Sequence, residues 1–318
     1  MHYFITGGAG FVGSNLTDRF LRLGHSVTVY DNLSTGFPEF IADARKSNKF
    51  RFVEGDDLNL KTLTEAMAGA GFVFHMAANA DVRYGTLHPG KDLEQNTIAT
   101  FNVLEAMRHN GIRKIAFAST GSIYGDAQII PTPENAPFPL QTSFYGASKV
   151  AAEGLIAAYC EGFQFEAWIY RFVSVLGPRY THGHVFDFLR KLSKDPSRLE
   201  VLGDGNQRKS YMHVDDCIDG MLLGIDRAKE RVNTFNLGVD GYCSVRDSVG
   251  WICRKLGVTP RLEFTGGNRG WIGDSPFIYL DVSRIRALGW EPKTGIEEAV
   301  DDTVDWIREN PWIFEKRS

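Results

Sequence analysis

"YFITGGAGFVGSNL", residues 3–16, is the stretch that decides the fold class. An apolar run typical of a buried strand leads directly into Gly7, Gly10 and Gly13, and an amphipathic helical pattern follows. In such a unit one glycine permits the tight turn, one lets the backbone approach a pyrophosphate, and one lets the helix pack on the strand. The helix N-terminus at Phe11 and Val12 adds amide donors and the positive end of a dipole. The pattern predicts a dinucleotide-binding turn, and a turn without a ligand is the alternative.

The first half of the chain repeats this alternation of short apolar runs and longer amphipathic segments. It predicts strands at "YFIT", "SVTVYD", "FRFVEGD", "FVFHMAA", "KIAFAST" and "FEAWIYRF". Helices between successive strands indicate a parallel sheet covered on both faces. Long helices are expected over 88–110, ending at Asn110-Gly111, and over about 143–161. After "RFVSVLGPR" the segments become shorter and richer in glycine and proline, which predicts a smaller second lobe.

Composition excludes several classes of protein. The 318 residues are 43% hydrophobic and 23% charged with a net charge of −4, so no basic excess favours a nucleic-acid partner. No apolar run approaches the roughly 18 residues of a membrane span, and the first residues enter a strand pattern without a charged leader. The four cysteines are widely spaced, and His182 and His184 lack further ligands at metal spacing. We expect a cytoplasmic protein with free thiols, no metal and no membrane partner.

Polar and small residues follow the predicted strands at the carboxyl edge of the sheet, where open α/β sheets bind ligands. Asp31 ends the second strand about 20 residues after the glycines, where a carboxylate accepts hydrogen bonds from ribose hydroxyls and repels a 2′-phosphate. This favours NAD over NADP, although a plain turn aspartate is the alternative. Asp56 is placed to reach an adenine amino group. The other cofactor-binding candidates at this edge are Asn32, Ser34, Thr35, Gly36, Asp57, Ala77, Ala78 and Ser119.

"YGASK" opens the second long helix and carries the strongest sign of catalysis. Tyr145 and Lys149 are four residues apart, so they project from the same helical face. A cation beside a phenol favours the phenolate, which lowers the pKa of the tyrosine toward that of a useful base. Thr120 and Ser122 follow the fifth strand at the same edge, where their hydroxyls can bond a substrate hydroxyl. The sequence therefore predicts general-base chemistry at this edge.

Taken in order, "TGGAGFVG", "HMAA", "NTIATFNVLEA", "STGSIYG", "YGASK", "RFVSVLGPR", "YMHVDD" and "LGWEP" resemble the extended short-chain dehydrogenases/reductases, in the NAD-dependent sugar-nucleotide epimerase/dehydratase branch. The resemblance covers nearly the whole chain. It implies an α/β fold with a Rossmann-type doubly wound parallel sheet over 1–171, returning segments from about 210–240, and a smaller C-terminal α/β lobe over 172–318. The first part would hold NAD tightly and the second would bind a nucleoside diphosphate sugar. It also implies a homodimer formed by helices 89–109 and 143–161.

The resemblance also implies roles for individual residues. Tyr145 would take the proton of a sugar hydroxyl, Lys149 would lower the pKa of Tyr145 and bind the nicotinamide ribose, and Thr120 would bond the same hydroxyl. Asn96 matches a helix asparagine near that site, and Ser174 stands where an asparagine is usual. Arg208 and Arg269 match positions that usually bind the diphosphate. The predicted substrate-binding residues are Arg83, Ser122, Tyr145, Ser174, Val185, Arg208 and Arg269.

The residues after Thr120 distinguish between members of the branch. Gly121-Ser122 stand where the 4,6-dehydratases carry Asp-Glu and where the glucuronate decarboxylases place a glutamate. An enzyme that lacks this acid/base pair cannot carry out the chemical step that the pair catalyses. The resemblance thus implies C4 epimerisation of a UDP-glucose/UDP-galactose type of substrate through a transient 4-keto sugar. The alternatives are a dehydratase, a glucuronate-nucleotide epimerase or a reductase of the same family, or a non-catalytic NAD-binding sensor.

Overall fold

A computed structural model describes residues 1–137, 140–271, 273–275 and 277–317, with the side chain of Arg83 outside the description. The strands are β1 His2–Thr6, β2 Ser26–Asp31, β3 Phe50–Glu54, β4 Phe72–His75, β5 Lys114–Thr120, β6 Glu166–Phe172, β7 Ser174–Leu176, β8 Arg198–Val201, β9 Arg208–Lys209, β10 Tyr211–His213, β11 Val232–Leu237, β12 Cys243–Ser244, β13 Arg261–Phe264 and β14 Phe277–Ile278. The helices are α1 Phe11–Arg22, α2 Leu60–Met67, α3 Val82–Leu87, α4 Pro89–Asp92, α5 Ala99–His109, α6 Phe144–Phe163, α7 His184–Lys194, α8 Val214–Arg227, α9 Val245–Leu256, α10 Ser283–Arg286, α11 Ile296–Glu309 and α12 Ile313–Lys316. Among the described residues, no helix combines the length and apolarity needed to cross a bilayer.

Seven strands form one sheet in the order β11-β6-β5-β4-β1-β2-β3. β1 lies between β2 and β4 and is parallel to both, with Thr6 opposite Tyr30 on one side and His75 on the other. All four residues of β4 are buried, as expected for a strand covered on both faces. The strand order reverses direction at β1 and β4, which is where ligands bind in sheets of this kind. The predicted doubly wound parallel sheet is confirmed.

Two compact units make up the chain. The first contains Met1–Ile123, Ser143–Arg171 and Met221–Phe235, and the second contains Tyr124–Thr142, Phe172–Gly220 and Asn236–Ser318. Compared with the predicted bounds, 124–142 belongs to the second unit, and the returning segment is shorter than 210–240. The described residues of the second unit form three small sheets, β10-β7, β12-β9-β14 and β13-β8, together with helices. The assignment of cofactor to one unit and nucleotide sugar to the other stays a prediction.

A buried apolar core holds the strands of the first unit in place. Phe4, Val73 and Phe117 lie on three neighbouring strands and are fully buried. They pack with Leu104 of α5 and Ile156 of α6 in one apolar cluster. Each such side chain contributes about 1.5–3 kcal/mol relative to an exposed position. The carboxyl ends of the strands are therefore held at fixed positions.

The helix predicted over 88–110 is interrupted. α4 and α5 are separated by a π-helical segment, Leu93–Ile98. Such wide turns are rare in proteins, and those that do occur often lie at functional sites. Asn96 lies in this segment and is buried. The second predicted helix is continuous as α6, which begins where the Ser143 hydroxyl accepts the Gly146 amide at 3.0 Å.

Candidate active site

The glycine turn packs closely against the neighbouring strand ends. Gly7 has φ +64°, and its amide donates to the Tyr30 carbonyl at 2.9 Å. A Cβ at Gly7 would lie 2.6 Å from the Ala77 nitrogen, and a Cβ at Gly13 would overlap the Gly7 carbonyl oxygen. Gly10 caps α1 without a side-chain acceptor, and the first turn contains no acidic residue. The positive end of the α1 dipole is therefore available to an anion such as a pyrophosphate.

Asp31 lies at the end of β2 and braces the glycine turn. One carboxylate oxygen accepts the Ala9 amide at 2.9 Å and the other accepts the Leu33 amide at 2.8 Å. Burial raises the pKa of Asp31, and the two amide hydrogen bonds oppose that effect. Each carboxylate oxygen has lone pairs beyond these two bonds. This arrangement fits an acceptor for ribose hydroxyls.

Asp56 and Asp57 follow β3 beside Asp31. The Asn32 amide group donates to one Asp56 carboxylate oxygen at 2.9 Å, and the Leu58 backbone amide donates to the other at 2.8 Å. Asp57 is buried, and one of its oxygens has no hydrogen-bond partner in the described part of the chain. Burial, with the charges of Asp31 and Asp56, raises the pKa of Asp57 well above its usual range. The predicted adenosine site therefore contains the hydrogen-bonded carboxyl group of Asp56 beside that of Asp57, which favours its protonated form.

The other predicted cofactor residues of this region lie on backbone segments around the glycine turn. In the loop after β2, the side chains of Ser34 and Thr35 are exposed, and a Cβ at Gly36 would lie 2.9 Å from Ala9. After β4, the Ala77 amide donates to the Thr6 hydroxyl at 3.4 Å. The residues at these places, with the first two of α1, are Phe11, Val12, Ser34, Thr35, Gly36, Ala77 and Ala78.

The three predicted catalytic side chains converge on the carboxyl end of β5. Thr120 is the last residue of that strand, and its side chain lies close enough to the Tyr145 hydroxyl to lower the pKa of that phenol. Lys149 lies one turn farther along α6 and is 1% exposed. Its ammonium group donates to the Ala118 carbonyl at 2.8 Å and lies 4.6 Å from the centre of the Phe117 ring. A hydroxyl, a phenol and a buried amine thus share one site.

Burial dominates the ionisation of this pair. It raises the pKa of Tyr145 to about 12, and the neighbouring Thr120 side chain opposes this shift. It lowers the pKa of Lys149 to about 7, against the negative charges of Glu153 and Asp92. Burial therefore sets the direction of the Tyr145 shift, and the predicted lowering of this pKa by Lys149 stays a prediction. Tyr145 holds its proton at neutral pH, and Lys149 exchanges its proton there.

Two predicted cofactor residues direct their polar atoms into the protein. The Asn96 carboxamide accepts the Asn79 amide at 2.8 Å and donates to the Ser148 hydroxyl at 2.9 Å. The Ser119 hydroxyl donates to the Glu153 carboxylate. Asn96 thus ties the π-helical segment to α6, and Ser119 ties β5 to α6. Their predicted contacts with the cofactor stay predictions.

A buried ion pair beneath the site was missed by the sequence analysis. The Arg171 guanidinium donates to both carboxylate oxygens of Glu153, at 2.7 and 3.1 Å, and both side chains are less than 10% exposed. Glu153 is four residues after Lys149, a spacing that places the two on one helical face. That spacing was the available signal for Glu153. Arg171 comes from β6, and no local pattern pairs it with α6.

The predicted substrate residue Ser122 lies beside Thr120 in the first unit. Its amide donates to the Thr120 hydroxyl at 3.1 Å, and the Thr120 hydroxyl donates to the Ser122 hydroxyl at 3.2 Å. Arg83 is in α3, and its side chain is outside the described part of the structure.

Four predicted substrate residues belong to the second unit. Ser174 is exposed on β7, whereas Val185 is fully buried in α7, so the Val185 side chain packs in the core of this unit. Arg208 lies over the Phe277 ring at 4.0 Å. Arg269 forms an ion pair with Asp126 at 2.7 Å, so a bound diphosphate would compete with Asp126 for this guanidinium.

Comparisons with known proteins place this arrangement in a family. The model of the NAD-dependent epimerase/dehydratase family matches residues 3–238. The chain belongs to this family. A putative UDP-glucose 4-epimerase of Methanocaldococcus jannaschii is 32% identical, over 96% of this chain and 98% of the relative. A UDP-glucose 4-epimerase of Mycolicibacterium smegmatis is also 32% identical, over 97% and 99%. A solved structure of a UDP-galactose 4-epimerase is 36% identical with a TM-score of 0.87, over 98% of this chain and 100% of that one.

The predicted cofactor, NAD, is confirmed by the family match. The residues of the chain also fit it. A side chain at Gly7 or Gly13 would clash with backbone atoms, so only glycine permits this tight turn, and the capping of α1 by Gly10 leaves its dipole open to a pyrophosphate. The Asp31 carboxylate at the end of β2 fits its predicted role as an acceptor for ribose hydroxyls.

Proposed function

We propose that this chain interconverts UDP-glucose and UDP-galactose, or a closely related pair of nucleoside diphosphate sugars, by NAD-dependent epimerisation at C4 through a transient 4-keto sugar. The observation that carries the proposal is the convergence of Thr120 at the carboxyl end of β5 with Tyr145 and the buried amine of Lys149 on α6. Two relatives at 32% identity with near-complete coverage, named as UDP-glucose 4-epimerases, support it.

In the proposed reaction Tyr145 removes the proton of the sugar O4 hydroxyl, and Thr120 bonds the same hydroxyl and orients it. NAD, held by the glycine turn and Asp31, would supply the acceptor for the C4 hydride and the source of its return. Tyr145 begins with a pKa of about 12, so its deprotonation needs a nearby positive charge. Lys149 in its protonated form provides one, and its pKa of about 7 puts both of its forms within reach at neutral pH.

Gly121 and Ser122 support epimerisation over dehydration. The dehydratases of this branch need an acid and a base directly after the catalytic threonine, and neither residue titrates as one at neutral pH. Tyr145, Lys149 and Thr120 suffice for removal and return of one proton. The substrate-binding roles of Arg83, Ser174, Val185, Arg208 and Arg269 are part of the proposal.

The test is to incubate purified protein with UDP-glucose, without added NAD or reductant, and follow the sugar by NMR and mass spectrometry. We expect the UDP-galactose anomeric signal to appear at unchanged mass. Loss of one water would instead identify a dehydratase, and inertness toward UDP-glucose and UDP-galactose would contradict the proposal. Tyr145→Phe, which keeps the ring and its packing, should keep its bound NAD and lose about 10²–10⁴-fold in kcat.

We also propose a homodimer through the helices around 89–109 and 143–161. Ile98, Phe101 and Phe163 are large apolar residues on this part of the surface, each more than 40% exposed. Apolar clusters of this kind mark interaction surfaces. Light scattering at the mass of two chains, reduced to one chain by Phe101→Glu, would support the dimer; a monomeric wild type would contradict it.

A cytoplasmic location completes the proposal. All four cysteines, Cys160, Cys217, Cys243 and Cys253, are free thiols in the structure. Free buried thiols suit a reducing compartment. Cell fractionation that recovers the protein with a secreted or periplasmic fraction would contradict this location.

A further inference from the structure

Asp92 is a buried carboxylate close to the Tyr145–Lys149 pair, and no step of the proposed reaction uses it. It is the last residue of α4, directly before the π-helical segment, and it is 1% exposed. One carboxylate oxygen accepts the Asn79 amide group at 2.9 Å and the Asn96 amide group at 3.2 Å. The other oxygen has no hydrogen-bond partner among the residues the structure describes. A buried carboxylate with an unpartnered oxygen is costly, and so it calls for an explanation.

A chain of hydrogen bonds connects Asp92 to the catalytic turn of α6. The Asn96 amide group that donates to Asp92 also donates to the Ser148 hydroxyl at 2.9 Å. The Ser148 hydroxyl in turn donates to the Tyr145 carbonyl at 2.8 Å. Ser148 is directly before Lys149 in the chain. The orientation of the Asn96 amide therefore fixes the part of α6 that carries both catalytic groups.

The neighbouring helix leaves room for this carboxylate. A Cβ at Gly85 of α3 would overlap the unpartnered oxygen of Asp92. The Asp92 oxygen thus occupies the space that a methyl group at Gly85 would fill. One acceptor oxygen would be enough to bind the Asn79 and Asn96 amide groups, so a structural role alone does not explain the second oxygen of Asp92.

The Asp92 charge acts on both catalytic groups. It raises the pKa of Tyr145 and the pKa of Lys149. In return, Lys149 favours the ionised form of Asp92, while burial and the charge of Asp81 in the loop before α3 raise the pKa of Asp92. Glu153, one turn after Lys149, adds a second negative charge that favours the ammonium form of Lys149.

We propose that Asp92 is a positioning residue for the Tyr145–Lys149 pair. Through Asn96 and Ser148 it fixes the first turns of α6, which carry both catalytic groups, and it places a negative charge beside them. The inference rests on the proposed function for its kinetic consequence and on the contacts of α4, α5 and α6 for its geometry.

Asp92→Asn separates the two contributions, because the amide oxygen still accepts both hydrogen bonds while the charge is lost. Asp92→Leu removes both. We expect Asp92→Asn to keep bound NAD and the thermal midpoint, and to shift the basic limb of the kcat profile toward lower pH, because Lys149 without this negative charge loses its proton at lower pH. We expect Asp92→Leu to lose at least tenfold in kcat with little change in KM. Glu94→Gln is the matched control, because Glu94 is two residues away and half-exposed beside Lys91, and its pH profile should coincide with the wild type.

A second readout needs no turnover. The ¹³Cε resonance of Lys149, assigned by its absence in Lys149→Met, should titrate at lower pH in Asp92→Asn than in the wild type. A wild type that fails to epimerise while this NMR shift is seen overturns the proposed function and leaves the role of Asp92 in place. Superimposed pH profiles and superimposed NMR titrations overturn the role of Asp92. If Asp92→Asn does not accumulate as folded protein, Ser148→Ala breaks the same chain, and an unchanged kcat in that variant overturns the proposal.

Discussion

Replacing Arg171 by methionine should destabilise the first unit strongly. The guanidinium of Arg171 holds Glu153 through two hydrogen bonds at 2.7 and 3.1 Å, in a region where the two side chains are 6% and 8% exposed. Removing one partner of a buried pair leaves an uncompensated charge and costs about 3–5 kcal/mol. The Ser119 hydroxyl still donates to Glu153, so we expect the lower part of that range. The thermal midpoint should fall by roughly 10 °C.

Urea and thermal unfolding, followed by circular dichroism at fixed protein concentration, measure this loss. Glu153→Met combined with Arg171→Met should recover at least half of it, because two apolar side chains leave no buried charge. The matched control is Arg231→Met, which breaks the exposed pair with Glu161 at 2.9 Å and should leave unfolding unchanged. A variant at Arg171 that unfolds with the wild type, or a double variant as unstable as the single one, would refute the reasoning.

Two further substitutions test the cofactor turn and the buried amine. Gly13→Ala should abolish NAD binding, because its Cβ overlaps the Gly7 carbonyl oxygen; NAD released on denaturation measures this, with Gly154→Ala, where a Cβ meets open space, as the control that keeps its NAD. Retention of stoichiometric NAD by Gly13→Ala would contradict the predicted role of the glycine turn in binding NAD. Lys149→Met should change how stability depends on pH. Because the pKa of Lys149 is about 7 in the fold and 10.5 ordinarily, the unfolded wild type binds the extra proton between these values. The free energy of unfolding of the wild type should therefore rise relative to the variant from pH 7 toward pH 10, by up to about 1.4 kcal/mol per pH unit. A difference between the two proteins that is independent of pH would contradict the lowered pKa.

Local patterns predicted the sheet and the placement of the main site residues. Strand periodicity and the glycine spacing located β1, α1 and β2, so Gly7 and Asp31 were placed correctly relative to one another. Four-residue spacing placed Tyr145 and Lys149 on one face of α6. These features depend on neighbours in the sequence, which is why the sequence reveals them.

Contacts between distant segments were less accessible. The π-helical segment at Leu93–Ile98 and the pairing of Glu153 with Arg171 depend on which strands and helices meet. The burial of Val185 and the ionisation of Tyr145 depend on how much water packing excludes. A motif gives the type of residue at a position, and desolvation is set by every element packed around it.

The central claim is that the hydrogen on C4 leaves as hydride and returns to the same carbon within one turnover. The most direct test uses UDP-glucose deuterated at C4, with the product examined by NMR and mass spectrometry. We predict UDP-galactose that retains the deuterium at C4, formed more slowly than from unlabelled substrate, and no deuterium at C4 when unlabelled substrate reacts in D₂O. Loss of the label to solvent, or uptake of solvent deuterium at C4, would contradict the account.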